Sequence, residues 1–100
     1  MIVRMWEGRL TKGTVEPFRD LLATALPSVR ALDGCEAIDV YGSTSQADGE
    51  RVVVISRWRD VDALAAAAGT DWQTSPVVLP GEQEWWGRPP HVWHFEVWDV

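Results

Sequence analysis

His94 and Glu96 stand two positions apart in a run of β-branched and aromatic residues, so on an extended strand their side chains share one face. An imidazole beside a carboxylate that orients or charges it is suited to general-base work near neutral pH. His94 reads equally well as a satisfied core or interface histidine. Arg57 and Arg9, at strand ends, could stabilise an anion, or could form ordinary ion pairs with neighbours such as Glu7. Trp58, Trp72 and Trp6 offer flat apolar faces and indole N–H donors that suit a planar aromatic small molecule, although a strand tryptophan serves plain core as readily. Trp6, Trp93 and Trp98 divide between pocket and interface. The adjacent pair Trp85-Trp86, between Gly81 and Gly87, suits a lid over a ligand or a clasp on another protomer.

Other chemistries find little support. His91 and His94 are three apart on a strand and so face opposite sides, which prevents them from sharing a metal ion. Asp71 alone adds little, and no phosphate loop, nucleophile elbow or zinc spacing is present. Cys35 is the only cysteine, which rules out an internal disulfide and reads as a buried thiol. A net charge of −6 without a Lys/Arg cluster disfavours nucleic acid and anionic membrane surfaces as partners. No apolar run approaches the roughly 20 residues that cross a bilayer, and the start Met1-Ile2-Val3-Arg4 has no signal-peptide pattern, so a cytoplasmic protein is expected.

The elements that must position these residues follow from periodicity. Ile2 to Leu10 reads as a strand ending at the turn Thr11-Lys12-Gly13. Val15, Phe18, Leu22, Ala25, Leu26, Val29 and Leu32 recur at intervals of three and four, which predicts a helix capped by Thr14, kinked or ended at Pro27 and stopped by Asp33-Gly34. Cys35 to Tyr41 and Arg51 to Trp58 read as strands around a polar loop. Asp60 caps a short helix carrying Val61, Leu64, Ala65 and Ala68, which stops at Gly69. Thr70 to Pro90, with four prolines, reads as a long loop with a turn of helix around Gly81 to Trp86, and His91 to Val100 as the last strand.

At 100 residues one domain spanning 1–100 is expected. The order β-α-β-β-α-β predicts an α+β, ferredoxin-like split βαβ sandwich, a four-stranded antiparallel sheet with both helices on one face. The other face also needs cover. Ile2 and Trp6 alternate with Val3 and Met5, and Val52, Val54 and Trp58 alternate with Val53 and Ile55, so both faces of these strands are apolar. A second copy packed face to face supplies that cover, and a homodimer is expected; the alternative is that the long loop folds back over the sheet. Seven tryptophans exceed what a core of this size needs and suit interfaces and pockets.

Trp6-Glu7-Gly8, Ser56-Arg57-Trp58, Ala68-Gly69-Thr70-Asp71-Trp72 and His94-Phe95-Glu96-Val97, in this order, resemble the antibiotic biosynthesis monooxygenase family of dimeric α/β barrels over nearly the whole length. The resemblance implies oxidation of a planar aromatic or polyketide-like small molecule without metal or flavin, so no cofactor is expected. It implies a base, here His94 with Glu96, an anion stabiliser, here Arg57, and aromatic walls, here Trp58, Trp72 and Trp6. Several relatives use an Asn on the first strand, and haem-opening relatives add a His. This sequence has no Asn, Gly8 stands about where one is expected, and no His lies between the second helix and Pro90, so haem is not expected. The same pocket would also suit a non-oxidative cyclase or isomerase, or a non-catalytic small-molecule-binding dimer.

Overall fold

Strand β1 (Ile2–Leu10) alternates between two environments, and this alternation organises the molecule. Ile2, Trp6 and Leu10 are buried, with Val3 and Met5 half-buried between them. The computed structural model describes residues 1–11, 13, 15–43, 50–76 and 86–100, with backbone only at 50 and 86–89. The remaining elements are α1 (Val15–Arg30), β2 (Cys35–Gly42), β3 (Glu50–Trp58), α2 (Val61–Ala68) and β4 (Trp86–Glu96). They form one antiparallel sheet in the order β2-β3-β1-β4. This is the expected α+β ferredoxin-like arrangement.

Both helices lie on the face that carries Ile2 and Trp6. Phe18 and Leu22 of α1 join Trp6, Leu10 and Val52 in one cluster, where the Trp6 and Phe18 rings stack with centroids 6.0 Å apart. Ala63 and Leu64 of α2 join Ile2 and Trp58 in another. α1 follows the predicted periodicity, but Pro27 does not end it: the helix continues to Arg30, and the Pro27 carbonyl still accepts from Ala31 N at 3.2 Å. Proline removes its own donor and leaves its acceptor in place. Thr14, the expected cap, lies outside the described residues.

Gly34 ends the turn after α1 with φ +83°, and a Cβ there would collide with Cβ of Ala63. Its carbonyl accepts from Arg59 N at 2.8 Å, so only a residue without a side chain lets this turn touch α2. Asp60 caps α2 as expected, Oδ1 accepting from Ala63 N at 2.8 Å, and Gly69 closes it with φ 99° while its N–H bonds Ala65 O.

The fourth strand departs from expectation. It begins at Trp86 instead of His91 and ends at Glu96 instead of Val100. Pro89 and Pro90 fall inside it, which is tolerated because β4 is an edge strand, and the register shifts opposite Glu7 to Leu10. Trp86 is therefore a strand residue; Trp85 and the helical turn expected around it lie outside the described residues. The outer face of the sheet carries Val3, Met5, Val53 and Ile55, half-buried, beside the exposed Tyr41, Trp93 and Phe95.

Candidate functional site

On the helix-facing side, the strand registers bring one residue of each strand into a row: Ile38, Ser56, Arg4 and His94. The row beside it is Val40, Val54, Trp6 and Val92, and the row on the other side contains Trp58, Ile2 and Glu96. Directly opposed side chains across antiparallel strands lie about 5 Å apart at Cβ, so a row is a contact unit. The row through Arg4 brings three polar side chains together on the face that packs against the helices.

Arg4 is only 6% exposed. Its Nη1 donates to Trp72 O at 2.7 Å and to His94 Nε2 at 2.9 Å, and its Nη2 donates to Ser75 O at 3.1 Å. A guanidinium has five N–H donors and no acceptor. The neutral carbonyls and the imidazole take three of these donors and bring no counter-charge. Among the described residues no carboxylate lies within ion-pair distance of Arg4. Burial accordingly lowers the Arg4 pKa.

His94 is held by the same contact. Because Arg4 can only donate, His94 Nε2 is an acceptor, which places the ring proton on Nδ1. The His94 ring meets Trp72 edge to face, centroids 4.7 Å apart. Burial, and then the positive charge of Arg4, push the His94 pKa below its ordinary value, so the ring is neutral at pH 7. On the other side of Arg4, Ser56 Oγ accepts from Trp58 Nε1 at 3.0 Å, which leaves the serine hydroxyl proton free to point elsewhere.

Between the sheet and the helices lies a cavity of about 170 Å³. Trp6, Phe18, Val54 and Trp58 form much of its wall, and Arg4 and Ser56 supply its polar side chains. Leu32 and Ala67, both exposed, also line it and mark its opening. An apolar cavity of roughly 150 Å³ is known to hold one benzene ring. Here a single ring would be enclosed, and a larger planar molecule would extend through the opening.

The expected site residues divide. Trp58 and Trp6 line the cavity; Trp72 does not, although it packs on the cluster around Trp58 and its carbonyl and ring hold Arg4 and His94. Glu96 shares the face of His94, as the two-residue spacing requires, but is exposed, and the group that meets His94 is Arg4. Arg57 is opposite Val3 on the outer face and exposed, so within one chain the sheet separates it from His94. Arg9 lies 3.8 Å from Glu7, which Arg51 also approaches at 3.5 Å. Arg4 and Ser56 were missed, yet Arg4 carried a signal: it stands between Ile2 and Trp6 on the inward positions of β1. Among the described residues no group of His, Cys, Asp and Glu could hold a metal ion. Cys35 is half-buried and its thiol pKa is raised, chiefly by burial, which keeps it protonated.

The chain matches the model of a family described as antibiotic biosynthesis monooxygenase over residues 1–78. No curated protein matches it. Among solved structures it is similar to Rv0793 from Mycobacterium tuberculosis, at 23% identity and TM-score 0.76, covering 99% of this chain and 96% of that one. It is also similar to a proposed antibiotic biosynthesis monooxygenase from Nitrosomonas europaea, at 16% identity and TM-score 0.78 over 97% and 98%, and to PA3566 from Pseudomonas aeruginosa, at 17% and 0.75 over 98% and 94%. At these identities the likeness shows the fold.

Proposed function

We propose that this chain, which belongs to the antibiotic biosynthesis monooxygenase family, binds a planar aromatic or polyketide-like small molecule between sheet and helices and oxidises it with dioxygen, as a cofactor-independent enzyme. The observation that carries this reading is the apolar cavity walled by Trp6, Phe18 and Trp58, with a buried guanidinium on its lining.

The chemistry starts with loss of a proton from an activated CH₂, as in an anthrone, to give a delocalised anion. Arg4 stabilises that charge in a medium where it counts for more than in water. His94 is the base in this reading: it stands behind Arg4, off the cavity lining, and the entering substrate draws the guanidinium away from Nε2, which is then free to take the proton as the anion forms. The carbanion gives one electron to O₂, and the radical pair joins as a C–OO⁻ peroxide. Its outer oxygen takes up a proton; loss of the remaining C–H proton and cleavage of the O–O bond then leave C=O and one water. The sum is CH₂ + O₂ → C=O + H₂O, and the two oxygens and four electrons balance.

The active unit in this reading is a homodimer joined through the outer sheet face, supported by the apolar patch of Met5, Ile55, Trp93 and Phe95. A cytoplasmic site of action fits a half-buried free thiol at Cys35. The engagement of His94 by Arg4 favours a second reading, a small-molecule-binding dimer without catalysis. An oxygen electrode separates the two. Purified protein with an anthrone is expected to consume one O₂ per molecule oxidised, and Ala67→Phe, which fills the opening, is expected to abolish consumption. Tight anthrone binding with no oxygen uptake would leave only the second reading.

A further inference from the structure

The inward row of the sheet contains a cation that no carboxylate among the described residues neutralises. Arg4 is buried, lines the cavity, and bonds two carbonyls and a neutral imidazole. Charge removed from water without a counter-charge is costly, and proteins meet that cost with a paired carboxylate or with a ligand. No carboxylate within ion-pair distance does so here among the described residues. The three bonds that Arg4 makes use three of its five N–H groups. One on Nη2 and the one on Nε have no partner among the described residues.

Two readings of Arg4 compete. As a clip, it ties the turn after α2 to β1 and β4 through Trp72 O and Ser75 O. A clip alone accounts for those carbonyl bonds. It does not account for placing the charge on the wall of an apolar cavity, beside a serine whose hydroxyl proton is uncommitted. A neutral side chain with donors would tie the turn at lower desolvation cost.

We propose that Arg4 selects the ligand class of the cavity: a planar aromatic that carries, apart from the carbon to be oxidised, an ionised acidic group, a carboxylate or an acidic phenol, already anionic when it enters. The ring lies against Trp6 and Trp58, the acidic oxygen takes the free N–H donors of Arg4, and Ser56 donates a further hydrogen bond. This rests on the reading of the cavity as an aromatic site and adds the charge of what fills it. Before the ligand enters, the contact with His94 holds the guanidinium in the inward row.

Calorimetric titration of the purified full chain with three naphthalenes of nearly equal shape tests this. 1-Naphthoate is expected to bind at least tenfold tighter than 1-naphthalenemethanol, and 1-naphthylmethylammonium not at all. In Arg4→Gln the ratio of naphthoate to alcohol affinity should fall to about one, whatever the change in alcohol binding itself; in Arg4→Lys the ratio should be partly restored, which a purely structural clip would not produce. Equal affinity of naphthoate and the alcohol for the unaltered protein would overturn the charge selection and leave the aromatic site standing. Binding of none of the three would overturn both. The comparison on the unaltered protein needs no variant to fold.

Discussion

Arg4 Nη1 and His94 Nε2 face each other 2.9 Å apart across the directly opposed positions of β1 and β4, and the imidazole is necessarily the acceptor. Nitrogen NMR of the folded protein is expected to show His94 as the Nδ1–H tautomer at pH 7. An Nε2–H tautomer would break the Arg4 assignment.

The same contact predicts a pH dependence of stability. The folded state disfavours protonated His94, through burial and then the charge of Arg4, whereas the unfolded chain takes up the proton at about the ordinary value of 6.5. A depressed pKa means that this contribution is complete above 6.5 and is lost as pH falls through the lower folded value. Urea midpoints at successively lower pH should fall across that window. His94→Gln retains an acceptor for Arg4 but does not titrate, and should flatten the curve there. Asp33 and Asp60, whose pKa values are lowered by Arg59 and by the Ala63 amide respectively, act below their ordinary 3.8.

Gly13 and Gly34 have nearly the same positive φ, 85° and 83°, but different surroundings. Gly13→Ala meets nothing within 4 Å and should cost only the backbone term, about 1 kcal/mol. Gly34→Ala adds a collision with Ala63 and should cost more, about 2–4 kcal/mol in denaturant unfolding. Equal costs would show that the turn moves away from α2 freely.

Leu64 is fully buried among Ile2, Trp58 and Ala63. Leu64→Ala is expected to destabilise by about 2–5 kcal/mol, with the spread set by how far the cluster collapses into the space left. A loss below about 1 kcal/mol would mean that α2 contributes little to the core.

Sedimentation should give roughly twice the chain mass of 11.2 kDa at micromolar concentration. Met5→Lys with Ile55→Glu places opposed charges within one chain, on directly paired positions of the outer face, so each fold can tolerate them while the apolar interface is lost. That double variant should sediment as a monomer; an unaltered protein that is already monomeric would refute the dimer.

Much of this protein was written in local pattern. The alternation of Ile2, Trp6 and Leu10 with Val3 and Met5 identified both faces of β1, and the three-and-four spacing from Val15 to Val29 identified the helix that covers one of them, because period alone decides which side chains share a face. Asp60 and Gly69 marked the ends of α2, since capping is chemistry of adjacent residues. The start of β4 was not legible: Pro89 and Pro90 argue against a strand unless it is known to be an edge, and strand order is a property of the assembled sheet. The site was decided in the same way. His94 and Glu96 do share a face, as their spacing requires, but the registers of β1 with β3 and with β4 set Arg4 between Ser56 and His94 and turned Arg57 to the other side. Those registers bring Arg4 beside His94, 90 positions away, and no spacing along the chain encodes them. Only the packed sheet made a buried cation, without a carboxylate partner among the described residues, out of an arginine that in sequence looks like any other.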